Sequence, residues 1–234
     1  YPSPNRKNIL LDSSYKAEWN RAAILCAAVT LAQHLEEIKK IFSPENPAEF
    51  WDFINTIYAA RETEVFGVFW QQIHPYIRQL PLVATSRNDW LMPKCVFYPD
   101  KDSLGEAAQI FEDIGIPIVH PDLYEFQNLI IDSNVGVRRL TISQVIDAFK
   151  TEVGTDCVEI SSMPLSLQTI DQWRLFWSAL DDLYANLPNV TEQLRIDEIL
   201  KNLPLALDSQ GTFSPPKDLR AADSETTRML FTNF

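Results

Sequence analysis

Glycine is scarce in this chain of 234 residues, with six in all at Gly67, Gly105, Gly115, Gly136, Gly154 and Gly211. No two are close enough to build a phosphate-cradling loop. That excludes a GxGxxG fingerprint, a Walker A loop and a nucleophile elbow, which need paired glycines for close backbone approach, and no cofactor is expected. Cysteine is also scarce. Cys26, Cys95 and Cys157 are odd in number, widely spaced and without a CxxC pair, which argues against a disulfide framework or a zinc knuckle and for a reducing, cytoplasmic compartment. Basic residues are outnumbered, 20 Lys and Arg against 32 Asp and Glu, giving a formal charge of −12 and a pI near 4.7. So acidic a surface repels phosphate backbones and anionic headgroups, and neither a nucleic-acid nor a membrane partner is expected. The longest apolar run, Ala22 to Ala32, is about half the ~20 residues that cross a bilayer, and no basic-then-apolar leader precedes it. The sequon Asn189-Val190-Thr191 has no secretion signal to accompany it. There is no initiator Met, and Glu225 to Phe234 reads as a helix cut off in its first turns, so the expectation is an excised piece of a longer protein.

What is present is mostly helical periodicity. Residues 1–11 carry Pro2 and Pro4 and read as a tail. Asp12-Ser13-Ser14 is a cap for a helix running to Lys40, with Ile24, Ala28, Leu31, Leu35 and Ile38 on one face and Lys39-Lys40 suiting its C-terminal dipole. After Ser43-Pro44, Asn46-Pro47-Ala48-Glu49 opens a second helix with the stripe Phe50, Ile54, Ile57 and Tyr58. A third starts at Thr63, gathers Phe66, Phe69, Trp70 and Ile73, and is disturbed at His74-Pro75. Leu80 to Thr85, the turn Ser86 to Asp89 and Trp90-Leu91-Met92 make a hairpin ended by Pro93. A helix from about Ser103 to Asp113, a strand at Ile116 to Val119, and helices near Asp122 to Ile131 and Ser143 to Lys150 follow. Thr155 to Pro164 is a loop or short strand, and the capping box Thr169-Ile170-Asp171-Gln172 starts a helix with Trp173, Phe176, Trp177, Leu180 and Tyr184 along one stripe.

An internal repeat orders these elements. At an offset of 123, Leu80-Pro81-Leu82 meets Leu203-Pro204-Leu205, Trp90 meets Phe213, Pro93 meets Pro216, Val96 meets Leu219 and Asp100 meets Asp223. Upstream the offset is 126, and Phe50-Trp51, Ile54, Ile57, Tyr58 and Ala59 meet Phe176-Trp177, Leu180, Leu183, Tyr184 and Ala185. Ile73 and Ile196 again pair at 123, which places the three-residue difference in the inter-helix turn. Each copy reads as helix, helix, hairpin. Ser86 to Asp89 makes one hairpin turn and Asp208-Ser209-Gln210-Gly211 the other, with Gly211 suited to a left-handed closing position. The expected fold is α+β and predominantly helical, with this unit occurring twice and its second copy truncated: a tail at 1–11, a first unit over 12–154 and a second, incomplete one over 155–234.

Two stretches resemble a known family. Lys16-Ala17-Glu18-Trp19-Asn20-Arg21, leading into a long helix, is similar to the segment that follows the heat-shock-ninety-like ATPase domain in sacsin-type repeats. Leu80 to Asp100, with Ile114 to Val119 and Gly136 to Thr141, resembles the portion of such repeats downstream of that ATPase. The similarity covers about residues 14 to 223. The family's ATP-binding positions have no counterpart here, so the resemblance implies the middle of a repeat without its motor: a non-catalytic interaction or coupling module whose partners are proteins or neighbouring repeats, with an ATPase domain upstream.

No catalytic constellation stands out. His34, His74 and His120 are far apart and read as a solvated helix residue, a helix-end residue and a loop residue. Cys26, among alanines, and Cys95, beside Lys94, read as small packing residues. Asp100 and Asp223 read as a turn or cap pair. The aromatic set Trp51, Phe66, Phe69, Trp70, Trp173, Phe176 and Trp177 reads as core rather than groove. Arg138 and Arg139 are the candidate interaction residues, able to meet an anionic group or a partner carboxylate. Two alternatives stay open: a hydrolase or transferase whose carboxylates converge only in the fold, and a purely structural spacer.

Overall fold

The computed structural model describes residues 15–43, 46–132, 134–208 and 211–218. The tail at 1–11, the cap at Asp12 to Ser14, Pro44, Ser209, Gln210, Leu219, Asp223 and the segment Glu225 to Phe234 lie outside the described residues. The fold is predominantly helical α+β, its strands confined to sheets of two and three. Contacts cluster into two compact units interleaved along the chain: residues 1–100 with 117–139, and 101–116 with 140–234.

The first unit opens with α1 (Tyr15–Gln33) and a short α2 (Leu35–Lys39). α1 lies along α4 (Glu64–Ile77) and buries Ala17, Asn20, Ile24, Ala28 and Ala32, mostly small side chains that permit close helix approach. Between them α3 (Ala48–Ala59) buries Phe50, Trp51, Ile54 and Ile57. Thr63 caps α4 as expected, its hydroxyl accepting from the Phe66 amide. Pro75 does not end this helix, which continues to Ile77. Pro75 sits in the last turn, and it and Gln71, whose carbonyl loses a donor there, are both exposed, so water can serve that carbonyl.

The hairpin follows as β1 (Val83–Ala84) and β2 (Trp90–Leu91), antiparallel, with Val83 opposite Leu91 and Ala84 opposite Trp90. The indole of Trp51 donates to the Leu82 carbonyl at 3.0 Å, fastening α3 to the hairpin base. A 3-10 turn, Pro93–Cys95, leads to β3 (Phe97–Tyr98), which pairs in parallel with β4 (Arg138–Arg139). In place of a strand over 116–119 there are isolated bridges from Ile118 to Phe97 and from Val119 to Thr85. In place of an α-helix near 122–131, a 3-10 turn, Pro121–Phe126, packs on α3 and runs on to a π-turn, Asn128–Asp132. Pro121 and His120, whose ring accepts the Asp122 amide, start this segment in 3-10 form.

The second unit holds α5 (Asp102–Glu106) and α6 (Ala108–Asp113), one expected helix broken at Ala107, then α7 (Ile142–Glu152) with its Thr141/Gln144 capping box. β5 (Val158–Glu159) precedes α8 (Ile170–Ala185), capped by Thr169, and α9 (Val190–Leu200), capped by Asn189. β6 (Ala206–Leu207) and β7 (Thr212–Ser214) close a three-stranded sheet in the order β5-β7-β6. Phe149, Phe111, Trp173, Phe176 and Phe213 form its aromatic centre, with Phe213 stacked on Trp173 at 4.2 Å.

The two hairpins share their bonding. Ala206 faces Ser214 and Leu207 faces Phe213, the β1–β2 register displaced by 123. The Thr85 amide donates to the Asp89 carbonyl and the Asp208 amide to the Thr212 carbonyl, each at 2.9 Å. Asn88 and Gly211 hold the matching left-handed position, with φ of 65° and 82°. A 3-10 turn follows each hairpin, Pro93–Cys95 and Pro216–Asp218. The three-residue difference, however, is not in the inter-helix turn. The caps Thr63 and Asn189 are still 126 apart, and α4 has 14 residues where α9 has 11. Helix length absorbs the change because each end is pinned, by a side-chain cap at the start and by the hairpin base at the finish.

Candidate interaction surfaces

Arg138 and Arg139, adjacent on β4 and therefore pointing to opposite sides of the strand, are both exposed and both engaged. Arg139 pairs with Asp100 at 2.5 Å. Arg138 donates to the Lys94 carbonyl at 3.2 Å and lies 4.8 Å above the Phe97 ring. Asp100 is thus one half of an ion pair on the strand edge.

Near this edge two tyrosines stack edge to face at 5.6 Å, and the Tyr98 hydroxyl donates to the Tyr124 carbonyl. Burial pushes Tyr124 up to about 12, with Tyr98 adding to the effect, and burial also raises Tyr98. The Tyr124 hydroxyl is buried with no hydrogen-bond partner. A buried cation, missed in the sequence, is Lys39, 7% exposed, donating to the Pro81 carbonyl at 2.8 Å and lying 5.3 Å from the Trp90 ring. Burial lowers its pKa. Its position in a helix C-terminal turn suits the helix dipole; the bond to the Pro81 carbonyl and the approach of Trp90 could not be read from local spacing.

The histidines do not converge. His34 pairs with Glu37 in solvent, His74 lies against Trp70, and His120 is the 3-10 cap. Among the described residues no three His, Cys, Asp or Glu side chains gather to hold a metal. The cavity between α7, α8 and the hairpin base is about 10 Å³, the size of a single water, and is lined by Val145, Phe149, Phe176, Leu180 and other apolar side chains. It contains no acid, base or nucleophile. In the second unit Asp182 accepts from Lys101 at 2.7 Å and from the Ser103 hydroxyl, and these bonds hold its carboxyl below the usual range. This cluster ties α5 to α8 and has the geometry of a tether.

Three core assignments are corrected. Cys26 is exposed rather than buried, because Ile24, Ala28 and Ala32 turn the inner face of α1 toward α4 and leave Cys26 outside. Trp177 is 41% exposed rather than core, and Phe66 is 38% exposed, whereas Trp51, Trp173 and Phe176 are buried as expected. On α8 the buried face is set by Trp173, Phe176, Ala179, Leu180 and Leu183, and Trp177 falls beyond its edge. Val190 and Leu194 on α9, at 68% and 60%, add further exposed apolar surface to the unit.

No family model, curated protein or solved structure matches this chain. Its surfaces must therefore be read from their own chemistry. Exposed aromatic and branched side chains on helices, without a convergent acid–base or nucleophilic set beside them, suit packing against another polypeptide. No helix among the described residues is long and apolar enough to cross a membrane.

Proposed function

We propose that this chain is a non-catalytic interaction or coupling module of a larger, sacsin-like, chaperone-related ATPase, residing in the cytoplasm, that passes nucleotide state to a bound client or to a neighbouring repeat. The observation that carries the reading is the recurrence of one helix–helix–hairpin pattern, with the same ladder register and the same left-handed turn residue, in both compact units. A pattern used twice in one chain is a module that stacks against neighbours. The exposed Trp177, Val190 and Leu194 supply surface for that purpose.

The test is calorimetric titration of the full chain with Mg-ATP and, separately, with a reduced, carboxymethylated polypeptide. The expected result is no saturable ATP binding together with measurable affinity for the unfolded polypeptide. Saturable ATP affinity overturns the non-catalytic reading. Affinity for neither ligand favours a purely structural spacer.

A further inference from the structure

The two hairpins share a ladder but are extended on opposite edges. In the first unit the added segment lies along β1. The Ser86 amide donates to the Ile118 carbonyl and the His120 amide to the Ala84 carbonyl, each at 2.9 Å, and Thr85 faces Val119 in antiparallel pairing. In the second unit the added strand lies along the other member of the hairpin, where β5 pairs with β7. Burial follows the pairing. Val83, Ala84 and Thr85 are buried while Trp90 and Leu91 are half-buried; Phe213 and Ser214 are buried while Ala206, Leu207 and Asp208 are half-buried. The strand that is covered in one unit is therefore open in the other.

The open edge of β6 has a definite orientation. Because the Asp208 amide donates to the Thr212 carbonyl, the neighbouring pair, Leu207 and Phe213, exchanges no bond, and the N–H and C=O of Leu207 point away from β7. The Leu207 carbonyl stands where Ala84 accepts from His120, and among the described residues no amide donates to it. An edge of unpaired backbone groups is a template for a further strand. The first unit shows what this hairpin accepts there: Ile116-Pro117-Ile118-Val119-His120, with Ile116, Ile118 and Val119 buried. Pro117 costs that pairing nothing, since its carbonyl and the Val119 amide face the opposite side and bond to Phe97.

We propose that the edge of β6 centred on Leu207 binds an extended polypeptide segment, rich in branched apolar side chains, in antiparallel pairing and with an amide donated to the Leu207 carbonyl. The partner chemistry is that of Ile116 to His120 on β1. The inference goes beyond the module reading, because it depends on neither nucleotide nor a parent ATPase.

The probe is a synthetic peptide of residues 113–122, titrated into the isotope-labelled full chain. The expected result is saturable binding with NMR shifts centred on the amides of Leu207 and Asp208, the second belonging to the peptide group of the Leu207 carbonyl, and with Val83 to Thr85 unmoved. Methylating the peptide nitrogen of His120 removes the donor to that carbonyl and should weaken binding by about tenfold or more. Methylating the nitrogen of Val119, which points to the other side, should leave binding nearly unchanged. The two methylated peptides are equally apolar, so equal binding by both overturns the proposal, as does an absence of saturation. Shifts centred on Val83 to Thr85 also overturn it, since the peptide would then be exchanging with its parent segment on β1. A Leu207 amide already protected from solvent exchange in the free chain does the same, whether the cover is the chain itself or a second copy.

Discussion

Burial separates two tryptophans that occupy the same place in their helices. Trp51 is enclosed by the core and bonded through its indole, so Trp51→Ala removes a large side chain from a packed site and leaves the Leu82 carbonyl without its donor. The expected cost is ~3–5 kcal/mol. Trp177 is 41% exposed and its indole N–H meets no acceptor among the described residues. Its truncation should cost about 1 kcal/mol or less, closer to a surface site than to a core one. Urea unfolding of the two variants beside the parent chain checks this. Equal losses, or a larger loss at Trp177, would mean that α8 buries its tryptophan in solution and that the bare face does not exist.

At the scale of elements, what tied α5 to α8 was invisible in the sequence. Thr63 and Thr169 are legible as helix starts because a cap is a local device, an oxygen and an amide three residues apart, whereas Asn189, read only as part of a sequon, caps α9 in the same way. The hairpins are legible for the same reason, since the turn, its left-handed residue and the flanking apolar pairs lie within a dozen residues. The parallel pairing of β3 with β4 spans about 40 residues and leaves no periodic trace, and the exposure of Cys26 and Trp177 depends on which neighbour each helix turns toward. Lys101, Ser103 and Asp182 are likewise distant in sequence and joined only by the fold. Because hydrogen bonds from Lys101 and Ser103 depress the Asp182 carboxyl, the folded state binds its proton less readily than the unfolded chain does. That stability is present above the ordinary carboxylate pKa of about 4 and is lost as pH falls through the lower folded value. The melting temperature of the parent chain should exceed that of Asp182→Asn at pH 6, and the gap should close as pH drops below about 4. A gap that persists unchanged at low pH would show that the tether is not an ionised carboxylate.

Across the whole molecule, compactness does not follow chain order. Residues 101–116 belong with the second unit although they lie between two stretches of the first, and residues 117–139 return to pair with β3 and cover α3. A cut at residue 154, the boundary that repeat spacing suggests, therefore leaves the first unit whole but takes α8 and Ser166 away from α5 and α6. Phe111 loses Phe176, Lys101 and Ser103 lose Asp182, and Asp113 loses the Ser166 amide. Leu104, Ile110 and Phe111, all nearly fully buried in the intact chain, would face water. Each such side chain forfeits ~1.5–3 kcal/mol of burial, a large sum against the few kcal/mol by which a domain is stable. A fragment of residues 1–154 should accordingly bind a hydrophobic dye and show dispersed NMR signals for α1 to β3 but not for α5 and α6. Replacing Leu104, Ile110 and Phe111 in that fragment by Ser should abolish most of the dye binding while leaving the dispersed signals in place. If the unmodified fragment instead excludes the dye and gives dispersed signals throughout 101–116, those helices find their cover within the first 154 residues, and the interleaved division of the chain is wrong.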